Sequence, residues 1–277
     1  MRVLLVAKRP LLERLTSEEA GRRGQALSDL RTAATVHNAA LTVVQNALAD
    51  CDVRHRLLDE VKPHDADDCD LVVTVGGDGT ALATSVLHAT KPVITVNSDP
   101  DRSVGHFARC TAETFAPLLA AFRGGHHRLE YLPRLEVRID HGEPHRFLND
   151  CLFTCRHAAL VTRYVLTVDG TSETQVSSGV WVSTASGSTG AIRSAGMQPI
   201  EGTASALLFK VREPFQGRHP FALLEGRQLP PRQLELTAGM PDIDCYLDGA
   251  FRRLDLAYGA VARFSAAAES LPVVGLP

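Results

Sequence analysis

The residues best equipped for chemistry are Gly76-Gly77-Asp78-Gly79-Thr80, which follow the apolar run Leu71-Val72-Val73-Thr74-Val75. Glycines at 76, 77 and 79 remove Cβ atoms where the chain must turn, so backbone amides can approach a ligand closely and adopt positive φ where needed. A buried strand that ends in such a turn and leads into a helix N-terminus forms an anion site suited to phosphate. The acid in its middle adds a second requirement. A carboxylate repels phosphate unless a cation lies between them or the group has a chemical task, so Asp78 points to metal binding, general-base catalysis or both. The tetrapeptide alone also reads as an ordinary loop. The strand before it and a predicted helix after it, capped by Thr80 and running from Ala81 to His88, favour the chemical reading. No Lys follows the glycines as in a P-loop, and the spacing is not that of a G-x-G-x-x-G dinucleotide turn.

The elements that must position this turn alternate between strand and helix. Val3 to Ala7 reads as a strand, followed by a polar segment at 9–27 rich in Arg and Glu. Ser28 or Asp29 then caps a helix carrying Leu30, Ala34, His37, Leu41, Val44 and Leu48 on one face. On that stripe His37 reads as a core-edge histidine rather than a ligand. A strand at Val53 to Leu58, the strand before Gly76, another at Pro92 to Val96 and a helix at about 111–123 complete the pattern. This alternation predicts a doubly wound parallel sheet with ligands at the carboxyl ends of its strands. Asp78 and Asn97 then share one edge, and the polar loop from Asn97 to Phe107 leaves that edge in reach of a ligand. The acidic segment Asp65-Ala66-Asp67-Asp68 falls at the opposite end and reads as a solvated loop.

After Gly124-Gly125 the texture changes. Segments near 129–139, 145–155, 162–168, 175–183, 205–212 and 234–247 alternate or are β-branched, separated by turn signals such as Asp169-Gly170. They predict an antiparallel β-rich domain. The expected division is therefore an α/β domain over 1–123 and a β-rich domain over 124–277, with the C-terminal tail able to pack back on the first. One stretch departs from the pattern: the strand at 177–183 enters the small, hydroxyl-rich turn Thr184-Ala185-Ser186-Gly187-Ser188-Thr189-Gly190 and a short helical run to Gly196. Small residues let a sugar or base lie against backbone there, and Ser186, Ser188 and Thr189 offer hydroxyl partners. An ordinary Ser/Gly loop is the alternative.

Composition narrows the classes. A chain of 277 residues, 44% hydrophobic, buries a sizeable core, and no apolar run approaches a membrane span. A net charge of -3 argues against a general nucleic-acid binder. Six cysteines, at 51, 69, 110, 151, 155 and 245, show neither a C-x-x-C pair nor zinc spacing. Cys151 and Cys155 on one strand face would lie about 13 Å apart, too far for a disulfide. Reduced thiols, and an N-terminus that reads as a first strand with no Arg-rich, Ser-rich leader, suggest a cytoplasmic protein.

With these pieces in order, the chain resembles the NAD kinases over nearly its whole length. The family's glycine-rich acid motif is here Gly76-Gly77-Asp78-Gly79-Thr80, its Asn-Glu pair is Asn149-Asp150, its Gly-Ser-Thr turn is Gly187-Ser188-Thr189 with Ser194-Ala195-Gly196 downstream, and its late Asp-Gly is Asp248-Gly249. Finer features resemble the branch of animal mitochondrial NAD kinases and plant NADH kinases: Val6-Ala7-Lys8, the loop Val96 to Ser103, Ser177-Ser178-Gly179 and Val211-Arg212-Glu213-Pro214. Departures from the wider family are Asp150 for Glu, Ser178 for Asp and Ala191 for a Tyr that packs on the dinucleotide.

The resemblance implies the fold shared by NAD and diacylglycerol kinases and transfer of the ATP γ-phosphoryl group to the adenosine 2′-hydroxyl of NAD or NADH. It implies Mg²⁺ accompanying ATP or polyphosphate, a homodimer or homotetramer, and no nucleic-acid or membrane partner. Asp78 would be general base or metal organiser. The implied ligand-binding set is Gly76, Gly77, Gly79, Thr80, Asn97, Phe107, Asn149, Asp150, Ser186, Gly187, Ser188, Thr189 and Ser194. No residue is assigned as a resident metal ligand, and Asp248-Gly249 is expected to be a structural hairpin turn. Lipid or sphingoid-base kinases and sugar-phosphate kinases carry similar acid turns, and a catalytically silent NAD(H)-binding protein is the third reading.

Overall fold

The computed structural model describes residues 1–16, 18–19, 25–62, 64–86, 90–215, 217, 220–250 and 252–277. It divides into two compact units, Met1–Glu130 with Leu271–Pro277, and Tyr131–Ser270.

The first unit is built on a largely parallel sheet. Its strands are β1 (Arg2–Ala7), β2 (Asp52–Leu57), β3 (Leu71–Gly76), β4 (Val93–Asn97), the short β5 (Cys110–Thr111), β6 (Arg128–Leu132) and, from the C-terminus, β19 (Leu271–Gly275). They run in the order β2-β1-β3-β4-β19-β6, with β5 alongside β4. Every residue of β3 and β4 is buried, as continuous Val/Ile/Thr runs require in a sheet covered on both faces. Helix α1 (Gln25–Ala47) and helix α3 (Ala112–Arg123) flank helix α2 (Asp78–Ser85) in the chain. Val44, Leu48, Phe115 and Leu118 pack with Leu5, Val73 and Ile94 into one apolar core. Parallel register pairs Gly76 with Asn97. The turn after β3 and the loop after β4 therefore leave the sheet side by side.

Several expected boundaries move. Helix α2 begins at Asp78 with Gly77 as its N-cap, so Thr80 lies inside the first turn rather than capping it. Its expected continuation through Leu87 and His88 lies outside the described residues. Helix α1 already includes Gln25, which puts Ser28 and Asp29 inside it. The polar segment at 9–27 is described only in part. The first unit also takes in residues 124–130, and the tail 271–277 that the sequence left able to pack there.

The second unit is a sandwich of two six-stranded antiparallel sheets. One contains β7 (Leu135–Ile139), β8 (His145–Phe147), β10 (Thr162–Val168), β11 (Thr171–Ser177), β15 (Leu234–Ala238) and β18 (Val261–Ala266), ordered β11-β10-β15-β18-β7-β8. The other contains β9 (Asp150–Cys155), β12 (Val180–Ser183), β13 (Leu207–Val211), β14 (Glu225–Gln228), β16 (Ile243–Leu247) and β17 (Arg252–Leu256), ordered β14-β13-β12-β9-β16-β17. Inward side chains of both sheets form a single core. Phe153 crosses it to meet Tyr164 edge-on at 5.7 Å.

Four of the six β segments expected from the sequence are broken, the one at 234–247 between β15 and β16. Pro133 separates β6 from β7, Leu148-Asn149 separates β8 from β9, and Ser178-Gly179 separates β11 from β12. At Gly179 the cause is close approach: φ is +108°, and a Cβ would stand 2.2 Å from the Phe153 carbonyl oxygen. All six cysteines are free thiols.

Because Phe153 is fully buried between the two sheets, Phe153→Ala should destabilise the protein by about 3–5 kcal/mol. Phe153→Leu should cost clearly less, and denaturant unfolding of both variants is the check.

Candidate functional site

In the first unit, Asp78 opens helix α2 and its carboxylate is held at both oxygens. Oδ2 accepts the His106 N–H at 3.0 Å and Oδ1 accepts the Phe107 N–H at 2.8 Å. The loop that leaves β4 thus returns to the acid. Phe107 is buried, and its carbonyl oxygen accepts a hydrogen bond from Thr95 Oγ1. Asn97 braces the same loop from within: its Oδ1 accepts the Asp99 N–H at 3.1 Å and its Nδ2 donates to Ser103 O at 3.0 Å. Gly105 has φ +65° and sits so close that a Cβ would come within 2.5 Å of Asn97 Nδ2. Asn97 and Phe107 are accordingly committed to the shape of the loop.

The glycines of the turn serve close packing. A Cβ at Gly76 would meet Thr80 Oγ1 at 2.2 Å, and one at Gly77 would meet Ser103 Oγ at 3.1 Å. Neither Gly76, Gly77 nor Gly79 adopts positive φ, so bareness of the backbone is what the turn requires. Thr80 is buried over Gly76. Of the acidic segment, Asp65 is buried and accepts the Lys62 N–H at 2.8 Å, while Asp68 pairs with Arg54 at 3.0 Å. These carboxylates are structural.

In the second unit the candidate residues gather around the bend Leu148-Asn149. The Ser186–Thr189 stretch is a single 3₁₀ turn, and Gly187 lies so close to the bend that a Cβ would overlap the Asn149 carbonyl oxygen at 2.0 Å. Thr184 Oγ1 donates to Leu148 O at 2.6 Å and accepts the Gly187 N–H at 3.0 Å, and Ser183 Oγ donates to Asn149 O at 3.1 Å. Asn149 Nδ2 donates to Asp150 Oδ2 at 2.9 Å. Ser186 and Ser188 are buried and spend their hydroxyls on the 200–202 backbone: Ser186 Oγ donates to Gly202 O at 2.8 Å, and Ser188 Oγ accepts the Ile200 N–H at 3.0 Å. Ser194 stands one step on, where with Trp181, Ala191, Lys210 and Arg212 it lines a pocket of ≈ 500 Å³. Arg212 lies over the Trp181 ring at 5.7 Å.

Asp248 is the residue the sequence understated. Asp248-Gly249 does form the hairpin turn between β16 and β17, both at positive φ. Its carboxylate also reaches back to accept the Leu148 N–H at 3.0 Å and the Asn149 N–H at 2.7 Å. Burial pushes this carboxyl up to about 6 against those hydrogen bonds and the nearby Arg252 charge. Burial, reinforced by Asp248, pushes Asp150 up to about 7. A hundred residues of sequence separate Asp248 from Leu148, so only the reversed strand neighbours β9 and β16 could have signalled the contact.

Comparison with known proteins follows the same lines. Residues 2–126 match the ATP-NAD kinase N-terminal domain family model. The chain is 31% identical over 231 residues to a probable NADH kinase of Oryza sativa subsp. japonica, covering 75% of this chain and 71% of that protein. It is 28% identical over 274 residues to an NADH kinase of Arabidopsis thaliana, covering 90% and 86%. Among solved structures, an NAD kinase from Archaeoglobus fulgidus in complex with ATP aligns with TM-score 0.71 at 20% identity, covering 100% of this chain and 94% of that one. Yeast NADH kinase complexed with NADH aligns with TM-score 0.71 at 15% identity, covering 100% and 84%. At these identities the structural matches speak for the fold.

Both raised carboxyls favour the protonated form in the folded state, relative to an ordinary value of 3.8. Their stabilising contribution is complete below about pH 4 and is lost as pH rises through 6 and 7. Stability should therefore fall between about pH 4 and about pH 7, and Asp150→Asn should flatten that fall; chemical denaturation at both pH values is the check. Gly187→Ala, which forces a Cβ onto the Asn149 carbonyl, should cost about 1–3 kcal/mol or more. The same denaturation measurement reads it.

Proposed function

We propose that this chain, which belongs to the NAD kinase family, transfers the γ-phosphoryl group of ATP to the 2′-hydroxyl of the adenosine ribose of NAD or NADH, with Asp78 as the residue that handles the hydroxyl. The observation that carries the assignment of Asp78 is its geometry. Each carboxylate oxygen accepts one backbone N–H, which fixes the group's orientation and leaves a further lone pair on each oxygen. One of these accepts or orients the 2′-hydroxyl proton. The cap at Gly77 and the bare glycine backbone beside it admit the phosphate chain. Phosphoryl transfer asks mainly for positioning and charge neutralisation.

Mg²⁺ enters in this reading as part of the nucleotide substrate. The cation would be held chiefly by phosphate oxygens with one or two carboxylates, here Asp78. When bound with the nucleotide, Mg²⁺ would supply charge neutralisation on the triphosphate. Asn149 and Asp150 hydrogen-bond ribose or nicotinamide-side groups. The backbone of the Ser186–Thr189 turn, with Thr189, lines the adenine end. Ser194 belongs to the adjoining pocket with Trp181, where Ala191 leaves room for a planar ring.

ATP rather than polyphosphate is the donor in this reading. A homodimer or homotetramer is proposed as well, on the resemblance to the family alone. Light scattering on the eluting peak would return a monomer mass if that is wrong. The free thiols fit a reducing compartment, the cytoplasm in our reading, and no helix among the described residues is long and apolar enough to cross a membrane. The lipid-kinase reading has no support from the relatives.

The test is incubation of purified protein with MgATP and NAD or NADH, with NADP(H) followed by a coupled dehydrogenase. Wild type should form product, and Asp78→Asn should lower the rate by about 10² or more. The ratio of the two rates reads dinucleotide preference. Absence of product with either dinucleotide, despite binding, would replace the kinase with a silent dinucleotide-binding protein.

A further inference from the structure

His37 lies in the apolar stripe of α1, where a hydrophobic residue is the default, and it is fully buried. A buried imidazole is costly unless it is hydrogen-bonded. Its Nδ1 lies 2.9 Å from Ser98 Oγ. Ser98 is itself buried and is the first residue beyond β4; its N–H donates to Gly76 O at 3.0 Å. A chain of contacts thus runs from the side of α1, through one hydroxyl residue, to the last peptide before the acid turn. The next residues carry it onward: Asn97 gathers Asp99 and Ser103, and the loop closes with its amides on Asp78. Burial first, and then the charge of Lys8, lowers His37 to about 4, with the Lys8 backbone and then the charge of Asp99 acting in the opposite direction. Near neutral pH the ring is uncharged and works as a hydrogen-bonding group.

We infer that His37 is a positioning residue for phosphoryl transfer: through Ser98 it fixes the root of the 97–107 loop, and with it the two backbone hydrogen bonds that orient the Asp78 carboxylate. Helix packing alone does not require a polar ring at this position, since Ala34, Leu41 and Val44 serve the same stripe with apolar side chains. The inference rests on the kinase reading for its catalytic readout and on the loop geometry for a structural one.

The experiment compares wild type with His37→Ala, His37→Asn, Ser98→Ala and the His37→Ala/Ser98→Ala double variant. It measures kcat and KM for MgATP and NAD(H), and amide hydrogen exchange at residues 98, 106 and 107. The Asn amide nitrogen takes the place of the imidazole Nδ1. Expected is a fall in kcat of roughly tenfold in each alanine variant, with KM changed by less than about twofold. The double variant should be no slower than the singles, His37→Asn should recover most of the rate, and exchange at the three amides should rise while that of β1 and β3 stays slow. Additive losses, no recovery by Asn, or unchanged exchange at 106 and 107 would each overturn the inference. Should His37→Ala fail to fold, Ser98→Ala and His37→Asn still decide it. If wild type forms no NADP(H), the kinase reading falls and the exchange pattern alone decides whether His37 holds the loop.

Discussion

The first unit depends on one register. Parallel pairing of β3 with β4 sets Gly76 opposite Asn97, and everything around Asp78 follows from that adjacency. Two chain segments emerge from neighbouring strand ends, one a bare glycine turn that starts a helix, the other a polar loop rich in hydrogen-bonding groups. Their free backbone groups must be satisfied, and they satisfy one another: Ser98 N–H on Gly76 O, and the amides of His106 and Phe107 on the acid. A one-residue slip would turn every side chain of the strand to the opposite face and separate these partners. The sheet's uninterrupted burial on both faces is what makes such a slip costly.

The second unit solves an equivalent problem differently. Between β8 and β9 the chain bends at Leu148-Asn149, where one backbone bond, from the Thr184 N–H to Asn149 O at 3.0 Å, meets the bend. Asp248 supplies acceptors to the N–H groups of both residues, while Ser183 and Thr184 supply donors to their carbonyls. The bend is therefore held on both sides by side chains at or just beyond the ends of distant strands. This arrangement buries two carboxyl groups close together and raises both, a concentration of perturbed acids that marks functional sites more often than ordinary cores. Gly187, pressed against Asn149, shows how little space the turn can spare.

Family membership and these local geometries bear on different links of the argument. The relatives establish the family; the hydrogen bonds show which of the candidate residues already have their polar atoms engaged within the fold. Asp78 retains unused lone pairs, whereas Asn97, Ser186 and Ser188 have turned their polar atoms to the backbone around them. A motif residue can thus be essential by shaping the turn that a ligand meets, without contributing its own side chain.

The sequence by itself determined the two kinds of element and the order in which they come. Continuous β-branched runs specify strands buried on both faces, three-and-four spacing specifies α1, and glycines around Asp78 specify a turn that only a backbone without Cβ atoms can make. Those are local properties, set by sterics and by the periods of helix and strand. Tertiary structure decided where elements stop and what their polar groups do. Long β segments break at Asn149 and Gly179 because distant atoms crowd or capture the backbone there, as the Phe153 carbonyl does at Gly179, whereas Pro133 interrupts its ladder locally by lacking an N–H. Helix α2 starts at Asp78 rather than beyond Thr80, because Thr80 is folded onto Gly76 instead of facing outward as a cap. His37 read as one more member of an apolar stripe, and Asp248 as a hairpin residue. Their partners lie 61 and 100 residues away, and hydrogen bonds over such separations leave no mark in local spacing.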